Sequence, residues 1–189
     1  MYRSSRAGDQ PANNQVRDLL VTIGNHGETF ARDDLKLAMT DRSGRYGVVK
    51  QSNYLDQFID QAAAAGYQRV LVVGHLGKLV KLGCAGLIAS QSRIEALAAC
   101  ASEAGADILL LRQLLGCVST DAATAALFEA NRLAGTMQVL ERRIQATFDA
   151  NTPPDLQLEW ICFSRLAEAF TLVAQSTTAF GLIREWHHL

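Results

Sequence analysis

Val70-Leu71-Val72-Val73 is a short, unbroken run of β-branched and aliphatic residues, and the rest of the pattern is read around it. A run without alternation suits a strand covered on both faces, as in a parallel sheet. It ends at Gly74, a second glycine follows at Gly77, and Lys78 opens a segment carrying Leu79, Val80, Lys81 and Leu82. Two earlier segments have the same layout. Leu19–Ile23 runs into Gly24-Asn25-His26-Gly27-Glu28 and then Phe30, Ala31 and Leu35 at helical spacing. There Asn25 is the predicted helix cap and Glu28 its capping-box partner. Tyr46–Lys50 is a second short strand. After it, Ser52-Asn53 opens a helix whose apolar face is Leu55, Phe58, Ile59, Ala62 and Ala63, with Gly66 as its terminator.

Three strand–helix units in succession are the mark of an α/β protein, and right-handed crossovers make the strands parallel with their glycine-bearing loops on one edge. Beyond Leu82 the pattern turns helical. Ser92 caps a helix with Ile94, Leu97, Ala98 and Ala101, stopped by Gly105. Ile108–Leu111 fits a strand or a helix, and helix is preferred because the apolar pattern continues through Leu114 and Leu115. Thr120-Asp121 starts a helix through Leu127 and Phe128, Gly135 interrupts it, and Met137, Leu140, Ile144 and Phe148 form a further face. Pro153-Pro154 breaks the chain before a strand at Leu156–Phe163. From Ser164 the spacing of Leu166, Ala167, Phe170 and Val173 predicts another helix, and Ser176-Thr177-Thr178 sets off a last short segment. The expected architecture is an α/β, Rossmann-like three-layer sandwich with a short, mostly parallel sheet and a helical C-terminal half. Residues 1–15 are polar and read as a mobile arm, and 16–189 as a single domain.

Composition narrows the class of function. Of 189 residues 49% are hydrophobic and 20% charged, and the net charge of −1 gives no basic field for nucleic acid. No apolar run is long enough to span a membrane. Cys84, Cys100, Cys117 and Cys162 lack the close spacing of zinc sites or disulfide frameworks, so reduced thiols and a cytoplasmic location are expected. His187 and His188 read as a solvated tail rather than a metal tract, and no metal site is assigned. Gly74-x-x-Gly77-Lys78 lacks the spacing of a phosphate-binding P-loop, Leu79 stands where Ser or Thr would, and no Gly-x-Ser-x-Gly elbow occurs. A buried strand, a glycine turn and a helix start do point backbone N–H groups at an anion, at the edge where open α/β sheets bind ligands. His75 is the histidine placed there, as a general base or as a hydrogen-bonded structural residue.

Three stretches also share a likeness. Thr22–Ala31 (TIGNHGETFA), Val48–Asp60 (VVKQSNYLDQFID) and Gly66–Leu82 (GYQRVLVVGHLGKLVKL) resemble, in order and spacing, the C-terminal half of the cobalt-precorrin-5B C(1)-methyltransferases (CbiD). The likeness runs from about Val16 to Leu82 and is weaker beyond. The family's N-terminal domain has no counterpart, and Gln91 stands where the family carries a histidine. The resemblance implies transfer of a methyl group from S-adenosylmethionine to ring carbon 1 of a cobalt-containing tetrapyrrole, by a partial or split enzyme whose missing domain lies on a separate chain or outside this stretch. The alternatives are a non-catalytic module that binds a corrinoid or adenosyl ligand, or an interaction subunit of a larger complex; a homo-oligomer is left open. On this reading Gly24, Asn25, Gly27, Ser52, Asn53, Gly74 and Gly77 approach the donor. Lys78, Lys81 and Arg93 bind substrate carboxylates, and His75 is the catalytic candidate.

Overall fold

The computed structural model describes residues 17–40, 46–51, 55–84 and 92–188. The expected N-terminal arm, the turn at 41–44 and the positions of Ser52, Asn53 and Gln91 lie outside them. The elements are β1 (Asp18–Ile23), α1 (Gly24–Asp33), β2 (Tyr46–Gln51), α2 (Leu55–Ala64), β3 (Arg69–His75) and α3 (Leu76–Leu79). There follow α4 (Arg93–Glu103), α5 (Ile108–Leu115), α6 (Thr120–Glu129), α7 (Leu133–Asn151), β4 (Gln157–Leu166), β5 (Ala169–Gln175) and α8 (Ala179–His188). The strands form one mostly parallel sheet in the order β2-β1-β3-β4-β5, which confirms the α/β class. β2 is added on one side of β1 and the later strands on the other, so the order reverses beside β1. The chain divides into two compact units, 1–73 with 151–161 and 177–189, and 74–150 with 162–176. The division falls inside β3 and β4.

In the first unit, β1 and β2 run parallel in the register Asp18 to Tyr46 through Ile23 to Gln51. β1 is buried along its whole length, and Val70–Val73 of β3 is fully covered, as the unbroken apolar run of β3 predicts. Phe58, Ile59 and Ala62 of α2 are buried, and Gly66 at φ +85° ends that helix in the left-handed conformation. The cap of α1 is a correction. The helix starts at Gly24 straight off β1, its N-cap is Ile23 with no side-chain hydrogen bond, and Asn25 already lies in the first turn. Gly24 at φ +69° makes the direct turn from strand to helix, which few other residues adopt. Glu28 therefore caps nothing and pairs with Lys50 at 2.8 Å. α8 is fastened to β1 by one buried carboxylate. Asp18, 6% exposed, accepts from Arg69 Nε at 2.8 Å and Nη2 at 2.6 Å, and from Trp186 Nε1 at 2.7 Å. Trp186 also stacks on Tyr46 at 4.3 Å, and Arg69 reaches Glu185 as well.

In the second unit, Ser92 caps α4 as expected, in a capping box that Glu95 completes, and Gly105 stops the helix at φ +82°. α5 is a helix, held by an Asp107 cap, but only Leu110 and Leu114 are buried, while Ile108, Leu109 and Leu115 face outward. Two expectations fail here. Gly135 does not break a helix but lies inside α7; the break is at Asn131, whose φ of 54° ends α6 in the left-handed conformation that asparagine tolerates. The segment after Ser164 is not helical. β4 continues to Leu166, turns at Ala167 and Glu168 (φ 46° and 67°) and returns as β5. A two-residue turn with both φ positive is the type that matches strand twist in a hairpin, and β-branched Thr171 and Val173 suit the returning strand.

Two glycines separate close packing from helix propensity. A Cβ at Gly27 would lie 2.8 Å from the Val73 carbonyl oxygen, a backbone atom that cannot swing away. At Gly135 the nearest atom is the Ala104 methyl at 3.8 Å. Gly27→Ala is expected to lower stability by about 1–3 kcal/mol. Gly135→Ala is expected to raise it by about 0.5–1 kcal/mol. Urea unfolding of both variants checks this, and equal effects of one sign would refute the packing account.

Candidate functional site

The second unit gathers most of the candidate residues around one turn. β3 ends with Gly74 and His75, and the backbone passes into α3 with His75 as its cap. The ring Nδ1 accepts from the Gly77 N–H at 3.1 Å. Since Nδ1 is the acceptor, the ring proton sits on Nε2, which donates to Asp121 Oδ1 at 2.8 Å. Both ring nitrogens are thus engaged. Phe163 packs its edge against the ring at 5.4 Å.

Asp121 is where the site converges. It lies in the first turn of α6, behind the Ser119 cap. Besides His75, its Oδ1 accepts from the Ser164 hydroxyl at 2.8 Å and from the Arg165 backbone N–H at 3.0 Å, both on β4. Thr124 Oγ1 stands 3.1 Å from the Ser164 hydroxyl and itself donates to the Thr120 carbonyl. Burial opposes ionisation of Asp121, but the Arg165 N–H, the Ser164 hydroxyl and His75 outweigh it and hold the carboxyl below its ordinary range. The hydroxyl addresses the carboxylate rather than the imidazole, so the trio is not arranged as a nucleophile, base and orienting acid.

Gly77 is packed tightly. A Cβ there would meet Thr120 Oγ1 at 2.9 Å and His75 Nδ1 at 3.3 Å, with an Arg93 guanidinium nitrogen at 3.8 Å. Arg93, at the start of α4, thus stands beside the turn. Lys78, Lys81 and Arg93 are exposed, and among the described residues none of the three takes part in an ion pair. In the first unit Gly24 is half-buried with nothing within 4 Å of a would-be Cβ, Asn25 is exposed, and Gly27 is buried. Ser52 and Asn53 fall outside the described residues. The sequence reading missed Asp121 and Ser164. Asp121 looks there like an ordinary first-turn acid, and its partners stand 43 to 46 residues away along the chain.

Residues 89–172 match the family model described as the C-terminal domain of CbiD. That match covers the helices and the hairpin, the part in which the sequence likeness is weaker. Proteins named cobalt-precorrin-5B C(1)-methyltransferase are similar. The one from Edwardsiella ictaluri is 34% identical over 110 residues, which is 56% of this chain and 27% of the relative. The one from Clostridioides difficile is 34% identical over 110 residues, covering 56% and 25%. The one from Listeria monocytogenes is 30% identical over 160 residues, covering 80% and 41%. No solved structure gives a significant match. The chain is therefore an α/β protein whose relatives are methyltransferases by name. It is similar to the C-terminal part of the CbiD family, whose C-terminal domain model matches residues 89–172. It spans roughly a quarter to two fifths of the length of these relatives. No helix among the described residues is long and apolar enough to cross a membrane.

The Asp121 network carries a pH dependence of known sign. A carboxyl depressed in the folded state contributes stability above its unfolded pKa, near 3.8, and loses it as pH falls through the lower folded value. The stability gap between the wild-type chain and Asp121→Asn is expected to be constant above about pH 5 and to shrink below about pH 4. Urea midpoints measured across that range decide it; a gap that persists unchanged to about pH 2 would rule it out.

Proposed function

We propose that this chain takes part in the C-1 methylation of cobalt-precorrin-5B in cobalamin biosynthesis, with S-adenosylmethionine as methyl donor. The observation that carries the reading is a set of three cations with no anionic partner among the described residues, Lys78, Lys81 and Arg93, at a tightly packed glycine turn in a chain similar to the CbiD family. Precorrins are polycarboxylates, and exposed lysines and a planar guanidinium suit several carboxylates held at once. Lys78, Lys81 and Arg93 bind the acceptor. Gly74 and Gly77, both buried, shape that turn.

The donor is assigned to the carboxyl end of β1. The strand order reverses beside β1, and doubly wound sheets bind ligands where that happens, which supports a Rossmann-like use of this sheet. The residues present fit the group: Ile23 at the N-cap gives α1 no side-chain cap, and the space over Gly24 is open. Backbone N–H groups at a helix start suit the donor's carboxylate or ribose hydroxyls. Gly24, Asn25 and Gly27 hold it, and Ser52 and Asn53 are assigned to the same ligand. When bound, the donor supplies a methyl group on a positively charged sulfur. His75, with both nitrogens engaged, orients the turn that meets the acceptor. The second reading is a corrinoid-binding module without turnover, since an imidazole with both nitrogens engaged serves binding alone equally well.

Calorimetric titration tests each assignment. Removing two cations in Lys78→Ala/Arg93→Ala is expected to weaken cobalt-precorrin-5B binding by roughly ten- to a hundredfold, more at low salt than at high. Asn25→Asp adds a first-turn acid, which helix electrostatics favour, so this variant folds while repelling the donor's carboxylate. Its affinity for S-adenosylmethionine is expected to fall by about tenfold. Unchanged affinities would remove the acceptor and donor assignments respectively. Tetrapyrrole binding with no methylation, even beside a companion chain, would favour the binding module.

A further inference from the structure

We infer that Asp121, steadied by Ser164, is the positioning residue of the ligand-binding turn: it fixes the His75 ring so that Nδ1 holds the Gly77 N–H. This deepens the acceptor-binding role proposed for that turn and rests on it. The argument is geometric. His75 caps α3 through Nδ1, but a ring at the end of a strand can rotate, and only one orientation presents Nδ1 to Gly77. Asp121 selects that orientation by accepting from Nε2. A carboxylate exposed on a first turn would itself be mobile. Here Ser164 and the Arg165 N–H on β4 bond to the same oxygen and hold it in place. Ser164 is fully buried, and Thr124 limits its freedom in turn. The order of dependence runs from β4 through Asp121 to His75 to Gly77, next to which Lys78 is presented.

The acceptor property of residue 121, rather than its charge alone, is what this chain of contacts requires. An asparagine carbonyl can still accept from Nε2–H, whereas an alanine cannot. Protonation of His75 at Nδ1 would place a second N–H against that of Gly77. The cationic ring and the capped turn therefore exclude each other, whatever Asp121, Arg93 and Arg165 contribute nearby.

The test uses the full chain with ¹⁵N-labelled histidine and backbone, read by NMR without ligand. In the wild-type chain the His75 ring is expected to show a protonated Nε2 and an unprotonated, hydrogen-bonded Nδ1. Asp121→Ala is expected to average the two ring nitrogens and move the Gly77 amide signal, while Asp121→Asn retains both signatures. Ser164→Ala, a smaller change, is expected to shift both signals part of the way. In ligand titration Asp121→Ala is expected to bind the tetrapyrrole roughly tenfold more weakly and Asp121→Asn within about threefold of wild type. Ring and Gly77 signals unmoved in Asp121→Ala and Ser164→Ala overturn the proposal, and so does loss of the signatures in Asp121→Asn as well. If the wild-type chain binds no tetrapyrrole, the functional reading falls, while the ring and amide signals still decide the positioning role.

Discussion

Each unit of this protein is assembled from stretches far apart in sequence, and in each a carboxylate binds the returning stretch to the first. Asp18 takes two donors from Arg69 and one from the Trp186 indole, joining the first strand to the last helix. Asp121 takes His75, Ser164 and the Arg165 N–H, joining a strand end, a helix start and the strand that comes back. A third, Glu159 in β4, accepts from Thr178 just before the last helix. Withdrawing a carboxylate from water is costly unless donors replace the hydration, so each hub holds only while its distant partners are in place. This makes the connections specific. Apolar packing alone would tolerate small slips of the C-terminal strands and helix, whereas a carboxylate with three directed donors does not.

The two hubs do different work. Around Asp18 the partners are an indole stacked on Tyr46 and a guanidinium bonded on both sides, a rigid set with no unpaired group of its own facing a ligand. Around Asp121 the chain of contacts ends at a turn whose neighbouring cations have no partner among the described residues. The same device serves in one case to close a fold and in the other to hold a surface in readiness. Glycine supports both. Gly27 lets α1 lie against the Val73 carbonyl, and Gly77 lets α3 lie against Thr120, so the two strand-to-helix turns are set by contact distance as much as by hydrogen bonds.

What could be read from the sequence follows the range of the forces involved. The strand β1, the continuous run of β3, the apolar face of α2 and the Ser92 cap of α4 are all decided within a few residues, and the pattern predicts them. The errors come where a local signal was weak or had a competitor. The β4–β5 turn uses Ala167 and Glu168 in the left-handed conformation, without the glycine or asparagine that usually announces a hairpin, so a segment with helical spacing was mistaken for a helix. Gly135 looked like a breaker, but Asn131 took that role, because a lone glycine in a nineteen-residue helix costs little beside the packing of its other residues. The strand–turn–helix pattern pointed to His75 and Gly77. Asp121 was hidden, because nothing within a few residues of it shows that three donors will arrive from elsewhere in the fold.

A histidine with both nitrogens occupied is a poor general base, yet that does not weigh against methyl transfer. A methyl group on a positively charged sulfur is already activated, and the thioether it leaves behind is neutral and needs no proton. The barrier then depends on bringing carbon and sulfur into line, which is a matter of holding two ligands at fixed places. For such a reaction an imidazole spent on fixing a backbone turn is better used than one left free to titrate. A reaction needing proton abstraction would call for the opposite arrangement, a ring with one lone pair directed at the ligand. The hydrogen bonds at Nδ1 and Nε2 therefore bear on the class of chemistry as much as on the fold, and they favour alignment over acid–base work at this turn.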